Sequence, residues 1–568
     1  MKKTKIDPVI ILPGINHSPT MLYDKNGEPV LDKNGRHIGS TMFFFKTDRL
    51  KEYISKLLLL LEKSKITRRC DGVQEAAYDL MREAFSYQKC DNNGNFTENL
   101  KTLHFSSLAD MDEERLQWAY RMVPMQSLVE ETGKEAIYFF TFNLVGDPLE
   151  SAKELDGYID CVLNETGAQK VTLMPVSLGG TILTAYLDLF GFAKVGSVIG
   201  AVACLDGTDC AADLLERSFN ISDLYLRHKF LSDAFKEITG DPAGGYFANI
   251  YLNTLPRCAY NALYTGLMSG SIDTVMVNCP QIWAMLPSSR YEKLSSRYLS
   301  GEEKAVLKEK ADRFQRARLN LKKNLVEAKE NGVKINLISG SNLSYGEKEY
   351  SFFYAIGSAG RVNTDGIIPL ASTTLGATGA LPGETLGEGY LRSRNEDYLS
   401  KYGKENPFIS PDKKIDASTA LFPENTWIFM SQHHEIGNNH AALNLIKDII
   451  LERVTDVNSD PVNHPQFNFS CHTKVLRRWR LEDAKRAVKN ESIGLCEGDK
   501  ASLLQLIERS ERQLSSAVAN GEESEFLRKQ IEYILSKYGL FTRPAAKSKF
   551  MKAVEVKAKK ISLRTAVR

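Results

Sequence analysis

The sequence predicts an α/β protein built on a mainly parallel β-sheet flanked by helices. Short apolar runs, typical of buried strands, alternate with amphipathic segments of helical period along much of the chain. The connecting helices of about 10–15 residues are long enough for the right-handed crossovers that parallel strands need. With 568 residues, 43% of them hydrophobic, the chain can also bury a large core.

The composition excludes several classes of protein. There are 73 basic and 71 acidic residues, and the net charge of +2 argues against a nucleic-acid-binding protein. The nine cysteines include no C-x-x-C pair, so neither a zinc site nor a disulfide framework is indicated. The first apolar run is too short for a signal peptide, and no run approaches the ~18 apolar residues of a membrane span. We therefore expect a cytoplasmic protein.

The chain begins with a predicted strand, Val9–Leu12, and a loop over 13–18 whose backbone amides could donate to an oxyanion. Residues 24–35 repeat Asp-Lys-Asn-Gly and predict a polar hairpin. That repeat lacks the glutamate and the spacing of a calcium loop. Residues from about 46 to 130 have a helical pattern and are interpreted as an insertion within a core domain of 1–210.

A strand over 135–142 precedes a helix that Asp147 caps, with Pro148 in its first position and Gly167 at its end. The next strand, 171–174, leads to Pro-Val-Ser-Leu-Gly-Gly, with Ser177 at the tip of a turn and a helix after it. This is the context that a nucleophile elbow requires. Gly179 and Gly180 would let strand and helix approach, and the helix N-terminus would favour negative charge near the serine.

A further strand is predicted over 198–205. After it, the alternation of strands and helices stops. Residues 211–332 predict a mostly helical cap, including one long charged helix over 301–331. Within it, Trp283 lies in an apolar stretch that could line a pocket for an apolar substrate or form the core of the cap. The sheet domain resumes over 333–460, with strands at 333–339 and 426–430.

Three polar residues follow three of these strands. Ser177, Asp365 and His440 would meet at the carboxyl edge of a parallel sheet, where such sheets place their sites. A neutral imidazole can take the serine proton, and an aspartate fixes the imidazole tautomer. His440 is favoured because it directly precedes an amphipathic helix, with His433 and His434 as alternatives.

The acid has alternatives as well. Asp206 and Asp209 follow the strand after the elbow and could replace Asp365. The order serine, aspartate, histidine is that of α/β-hydrolases.

Four segments resemble the α/β-hydrolases of the lipase and lecithin:cholesterol acyltransferase group. They are the Pro-Gly-Ile loop that ends at Ser18, the elbow segment, the acid loop Thr-Asp-Gly-Ile-Ile-Pro-Leu over 364–370, and Asn-His-Ala-Ala-Leu over 439–443. The resemblance covers roughly 1–40, 135–210 and 335–455. This chain has Pro175 and Val176 where the family usually has glycine and histidine.

The resemblance implies a serine esterase that acts on a lipid-like acyl ester through an acyl-enzyme, without cofactor or metal. Leu178 and either Ile15 or Asn16 would supply the oxyanion amides, and His17 would either line the pocket or face solvent. Acyl transfer uses the same intermediate, and a non-catalytic scaffold or binding protein is the competing class.

The composition changes in 461–568. Charged amphipathic patterns over 473–489, 499–518 and 524–538 predict a C-terminal helical region. The tail beyond it is basic, with Lys547, Lys549, Lys552, Lys557, Lys559, Lys560, Arg564 and Arg568 against Glu555. This tail could contact an anionic membrane surface, or the whole region could be a solvated appendage.

Overall fold

The structure is a computed structural model. It describes residues 4–15, 18–32, 35–40, 46, 49–218, 250–344, 362–469, 478–489 and 495–515, and single positions between 527 and 538.

Twelve strands are described. In chain order they are β1 Val9–Leu12, β2 Thr20–Tyr23, β3 Gly39–Ser40, β4 Asn99–Thr102, β5 Ile137–Phe139, β6 Val171–Pro175, β7 Val195–Ala201, β8 Lys334–Ser341, β9 Thr378–Gly379, β10 Ile415–Asp416, β11 Thr426–Met430 and β12 Phe467–Asn468. Seven of them form one sheet in the order β12-β11-β8-β7-β6-β1-β5. Every neighbouring pair in that sheet is parallel. The predicted α/β class is confirmed.

Sixteen α-helices are described. In chain order they are α1 Leu50–Thr67, α2 Val73–Ala84, α3 Glu113–Met122, α4 Gln126–Thr132, α5 Pro148–Thr166, α6 Gly179–Phe190, α7 Asp209–Glu216, α8 Arg257–Ser271, α9 Pro280–Ala284, α10 Ser288–Tyr298, α11 Ala305–Glu330, α12 Leu370–Thr373, α13 Glu388–Tyr402, α14 His440–Ile450, α15 Arg478–Lys489 and α16 Glu497–Ser515.

The main core lies between the sheet and its flanking helices. Apolar strands such as β1, β6 and β11 are buried along their whole length, as parallel strands covered on both faces are. Leu155 of α5, Ile182 of α6 and Leu321 of α11 belong to this core. The long helix that the sequence assigns to the cap is therefore α11, and it packs in the layer that flanks the sheet.

Four neighbouring strands end in an unusual backbone turn. Ser177, Val202, Asn342 and Ser431 follow β6, β7, β8 and β11, and their φ angles are 53, 46, 62 and 54°. Non-glycine residues avoid this left-handed region, and such residues concentrate at functional sites. The carboxyl edge of the sheet is therefore where the chain makes its most constrained reversals.

The predicted helical insertion is helical in α1 to α4 but also contains a strand. β4 pairs with β2 in a three-stranded antiparallel sheet of order β3-β2-β4. The polar repeat forms the predicted hairpin, in which the Asp24 and Asp32 side chains each accept a backbone amide across the turn. The helical pattern dominated the prediction because β4 has only four residues.

The chain divides into two compact units, 1–437 with 442–468, and 438–441 with 469–568. The first contains the seven-stranded sheet, whose edge strand β12 lies beyond residue 460, where the sequence places a boundary. The second has its own apolar core, which includes Leu481, Leu503 and Ile531. Helix α15 falls within the first predicted helical segment, and α16 overlaps the second but begins two residues before it. The basic tail lies outside the described residues.

Candidate active site

Ser177 sits on a sharp turn between β6 and α6. Its φ of 53° is in the left-handed region, and both of its backbone groups are hydrogen-bonded: its N–H donates to Ala201 O at 3.2 Å, and its carbonyl accepts from Cys204 N at 2.8 Å. A Cβ on Gly179 would lie 2.1 Å from Leu12 O, and one on Gly180 would lie 2.7 Å from Cys204 N. Only glycine fits these positions, so the turn is fixed by close backbone packing.

His434 joins the serine to the acid. Its Nε2 lies 2.8 Å from Ser177 Oγ, and its Nδ1 lies 2.7 Å from Asp365 Oδ2. A neutral ring that donates Nδ1–H to the carboxylate leaves Nε2 free to accept the serine hydroxyl. The imidazole side chain is 12% exposed and the aspartate 0%. The arrangement can therefore move a proton off the serine within a largely dry site.

Asp365 is held from two directions. Its Oδ1 accepts the amides of Ile367 at 2.9 Å and Ile368 at 2.7 Å, while Oδ2 faces the imidazole. Its backbone carbonyl also accepts the amide of His434 at 2.8 Å. Hydrogen bonds of this kind fix the orientation of the carboxylate. The structure thus brings Asp365 to Ser177 through the histidine, as the sequence suggested for the acid.

The prediction of His440 is corrected. His440 begins α14, as its position before an amphipathic pattern implied, but His434 makes both hydrogen bonds that were expected of it. The reason lies in the path of the chain. β11 ends at Met430, Ser431 reverses the backbone, and the next residues lie at the carboxyl edge of the sheet. His434 was one of the named alternatives, and closeness to the strand end is a signal that favours it over His440 but does not separate it from His433.

Thr208, which the sequence does not single out, holds the acid loop in place. The Thr208 hydroxyl donates to Ile367 O at 2.6 Å and also accepts the amide of Cys210, capping α7. Nearby, the Asp206 amide donates to Ser372 Oγ at 2.9 Å. The loop after β7 is therefore tied to the segment whose amides hold Asp365. No local sequence pattern marks this role, because the contact spans 159 residues.

The two alternative acids have other partners. Asp206 Oδ1 accepts the Ser288 hydroxyl at 2.7 Å at the start of α10. Asp209 Oδ1 accepts from Arg290 at 3.1 Å. Burial raises the pKa of the adjacent Cys204 thiol to about 12, so this neighbour of the elbow stays neutral.

The structure describes two of the three expected oxyanion donors, Leu178 and Ile15. Leu178 is the N-cap residue of α6, and the first amides of a helix have no intrahelical acceptor. Ile15 follows β1 and packs against the main core. Asn16 and His17 lie outside the described residues.

Trp283 is a core residue, which corrects its assignment to a substrate pocket. Its side chain is 1% exposed, and its indole N–H donates to Val277 O at 3.0 Å. The apolar stretch around it was equally compatible with packing, and α9 carries it into the main core.

An apolar recess borders the elbow on another side. Val176 and Ile436, neighbours in sequence of Ser177 and His434, line it together with Met122, Pro124 and Leu443. The lining is mainly apolar, with Ser127 and Lys447 as its polar members.

Among the described residues, no cluster of histidine, cysteine and acidic side chains could hold a metal ion. In the same part of the chain, no helix combines the length and apolarity needed to cross a membrane.

Comparisons with known proteins add little to this geometry. No family model and no curated protein matches the chain. Among solved structures, a chain in "The crystal structure of Tle4-Tli4 complex" aligns with 60% of this chain and 75% of its own length. The sequence identity is 14% and the TM-score 0.25. A similarity at that level carries no argument about fold or activity.

Proposed function

We propose that this chain is a serine hydrolase of the α/β-hydrolase type that cleaves carboxylic esters through an acyl-enzyme. In this proposal Ser177 is the nucleophile, His434 the general base and acid, and Asp365 the residue that orients the histidine. The observation that carries the proposal is the pair of hydrogen bonds that links the three side chains, 2.8 and 2.7 Å long, with Ser177 on a strained turn at the carboxyl edge of the sheet.

The chemistry follows from these contacts. His434 Nε2 takes the hydroxyl proton as Ser177 Oγ attacks the ester carbonyl, and Asp365 stabilises the imidazolium that forms. The Leu178 amide at the start of α6 would donate to the oxyanion. The imidazolium then protonates the leaving alcohol, and a water molecule, activated by the same histidine, releases the acid and restores the serine.

We propose a substrate with a hydrocarbon acyl group, because Val176 and Ile436, which are close in sequence to Ser177 and His434, line a mainly apolar recess. An acceptor alcohol that replaces water in the second step would make the chain an acyltransferase. Product analysis of a turnover reaction with and without added alcohol separates the two activities.

The test is labelling by a fluorophosphonate, which reacts with a serine that has an activated hydroxyl. We expect the wild type to be labelled and Ser177→Ala not. His434→Gln should slow labelling by at least ~10³-fold because the base is lost. The matched control is His440→Gln, which should be labelled at the wild-type rate. A folded wild-type protein that resists labelling, or labelling that survives Ser177→Ala, would contradict the proposal.

A further inference from the structure

Helix α1 is buried on one face only. Leu57, Leu61 and Ser64 face inward, and the two leucines share a small apolar core with residues of α2 and α8. On its other side α1 carries Ile54, Leu58, Leu59 and Ile66, whose exposed fractions are 43, 44, 73 and 84%. We call these four residues the α1 outer face.

The four side chains lie in two rows along the helix. Ile54 and Leu58 are four residues apart, and Leu59 and Ile66 are seven apart, so each pair is aligned along the axis. The two rows are about 100° apart around the helix, and the row of Leu59 and Ile66 is the one farther from the buried face. Beside α1, the ring centroid of Tyr251 lies 3.8 Å from Lys65 Nζ, and the preceding residue, Ile250, is 49% exposed. Clustered exposed aliphatic side chains mark interaction surfaces.

The charge around this face is strongly positive. Residues 49–69 contain seven basic and two acidic residues, although the whole chain carries a net charge of only +2. Both acids already have basic partners, Glu52 with Arg49 and Glu62 with Lys65. In the part of the chain that the structure describes, no ion pair involves Lys51, Lys56 or Lys63. Their charge is available to an anionic partner.

We propose that the α1 outer face docks on the surface of an anionic phospholipid bilayer. Leu59 and Ile66 enter the headgroup region, and Lys51, Lys56 and Lys63 contact the lipid phosphates. Exposed aliphatic groups bordered by lysines have the chemistry of an interfacial helix. This binding is independent of the proposed hydrolysis.

The experiment measures binding of the full chain to sucrose-loaded vesicles by co-sedimentation, in the Ser177→Ala background so that no lipid is hydrolysed. The vesicles are phosphatidylcholine alone, or three parts phosphatidylcholine to one part phosphatidylglycerol. We expect binding to the anionic vesicles only, and weaker binding as salt is added. Leu59→Gln with Ile66→Gln should lower the partition coefficient at least ~10-fold. Lys56→Gln with Lys63→Gln should lower it by about five-fold per lysine.

The matched control is Leu319→Gln with Leu399→Gln, two leucines that are 65 and 51% exposed on other helices. These substitutions should leave binding unchanged. Failure of the full chain to bind anionic vesicles would overturn the inference, as would binding that Leu59→Gln with Ile66→Gln does not weaken. A change of oligomeric state in that variant, without a change in vesicle binding, would assign the face to a second copy of the chain instead. Fluorophosphonate labelling reports on the proposed hydrolysis separately.

Discussion

The two halves of the candidate site are held in different ways. Ser177 is positioned by backbone packing. Its left-handed turn packs against the backbone of Leu12 and Cys204, and glycines occupy the two positions where a side chain would collide with that backbone. Asp365 and His434 are positioned by polar contacts, which run from Ile367 and Ile368 to the carboxylate and from the carboxylate to the imidazole.

This difference predicts which property of the protein a substitution in each half will change. A methyl group added at an elbow glycine would collide with neighbouring backbone, and that backbone cannot shift without disrupting the sheet. A hydrogen-bonded loop can lose one contact and keep its fold, at a cost of ~1 kcal/mol for each lost bond. Substitutions of the elbow glycines should therefore affect folding, and substitutions in the loops should affect turnover.

The largest effect is expected for Asp365→Asn. The new amide can still accept from the loop amides but presents an N–H to His434, which favours the wrong tautomer. Turnover of an ester should fall by ~10⁴-fold, with thermal stability nearly unchanged. Steady-state kinetics beside a melting curve measures both. Activity within ten-fold of the wild type would remove Asp365 from the proposed mechanism.

A smaller effect, on stability, is expected for Gly179→Ala. Its Cβ would lie 2.1 Å from the Leu12 carbonyl oxygen, so the free energy of unfolding should drop by at least ~3 kcal/mol. The control is Gly157→Ala in α5, where a Cβ would meet nothing within 4 Å. There a gain of about 0.5–1 kcal/mol is expected, because alanine is the better helix former. Urea denaturation compares the two, and equal values would show that the elbow is not sterically fixed.

The smallest effect is expected for Thr208→Val, which removes the hydroxyl that bonds Ile367 O. Turnover per labelled serine should fall by about ten-fold, the equivalent of one lost hydrogen bond. Thr208→Ser should restore it. Thr208→Asp keeps an acceptor for the α7 cap but no donor for Ile367, so it should be as slow as the valine variant.

Thr274→Val is the matched control for this series, because it removes a hydroxyl that lies 2.6 Å from a helix carbonyl outside the site. It should cost stability and leave turnover per labelled serine intact. A decrease in turnover equal to that of Thr208→Val would show that Thr208 acts only through general stability.

The half of the site that depends on local packing was predictable from the sequence. A strand, Ser177 and two glycines are adjacent along the chain, and the constraint that joins them acts within a few residues. The alternation of strands and helices likewise predicted the parallel sheet. Asp365 could be proposed from the sequence because it lies in a loop with a recognisable motif.

The remaining features depend on distant contacts. His434 and Asp365 are 69 residues apart, and no periodicity distinguishes His434 from His440. β4 forms because β2 lies beside it, and its four residues show no strand pattern of their own. These features depend on which strands and loops lie side by side in the folded chain. That arrangement cannot be read from a single sequence.

The wide separation of the site residues has a consequence during synthesis. Ser177 precedes His434 by 257 residues, which a ribosome adds in roughly 13–50 s. Throughout that interval the elbow serine has been synthesised and its base has not. Under the proposed mechanism, the growing polypeptide cannot attack an ester until β11 joins the sheet. Translation itself thus delays the onset of activity until nearly all of the sheet has been made.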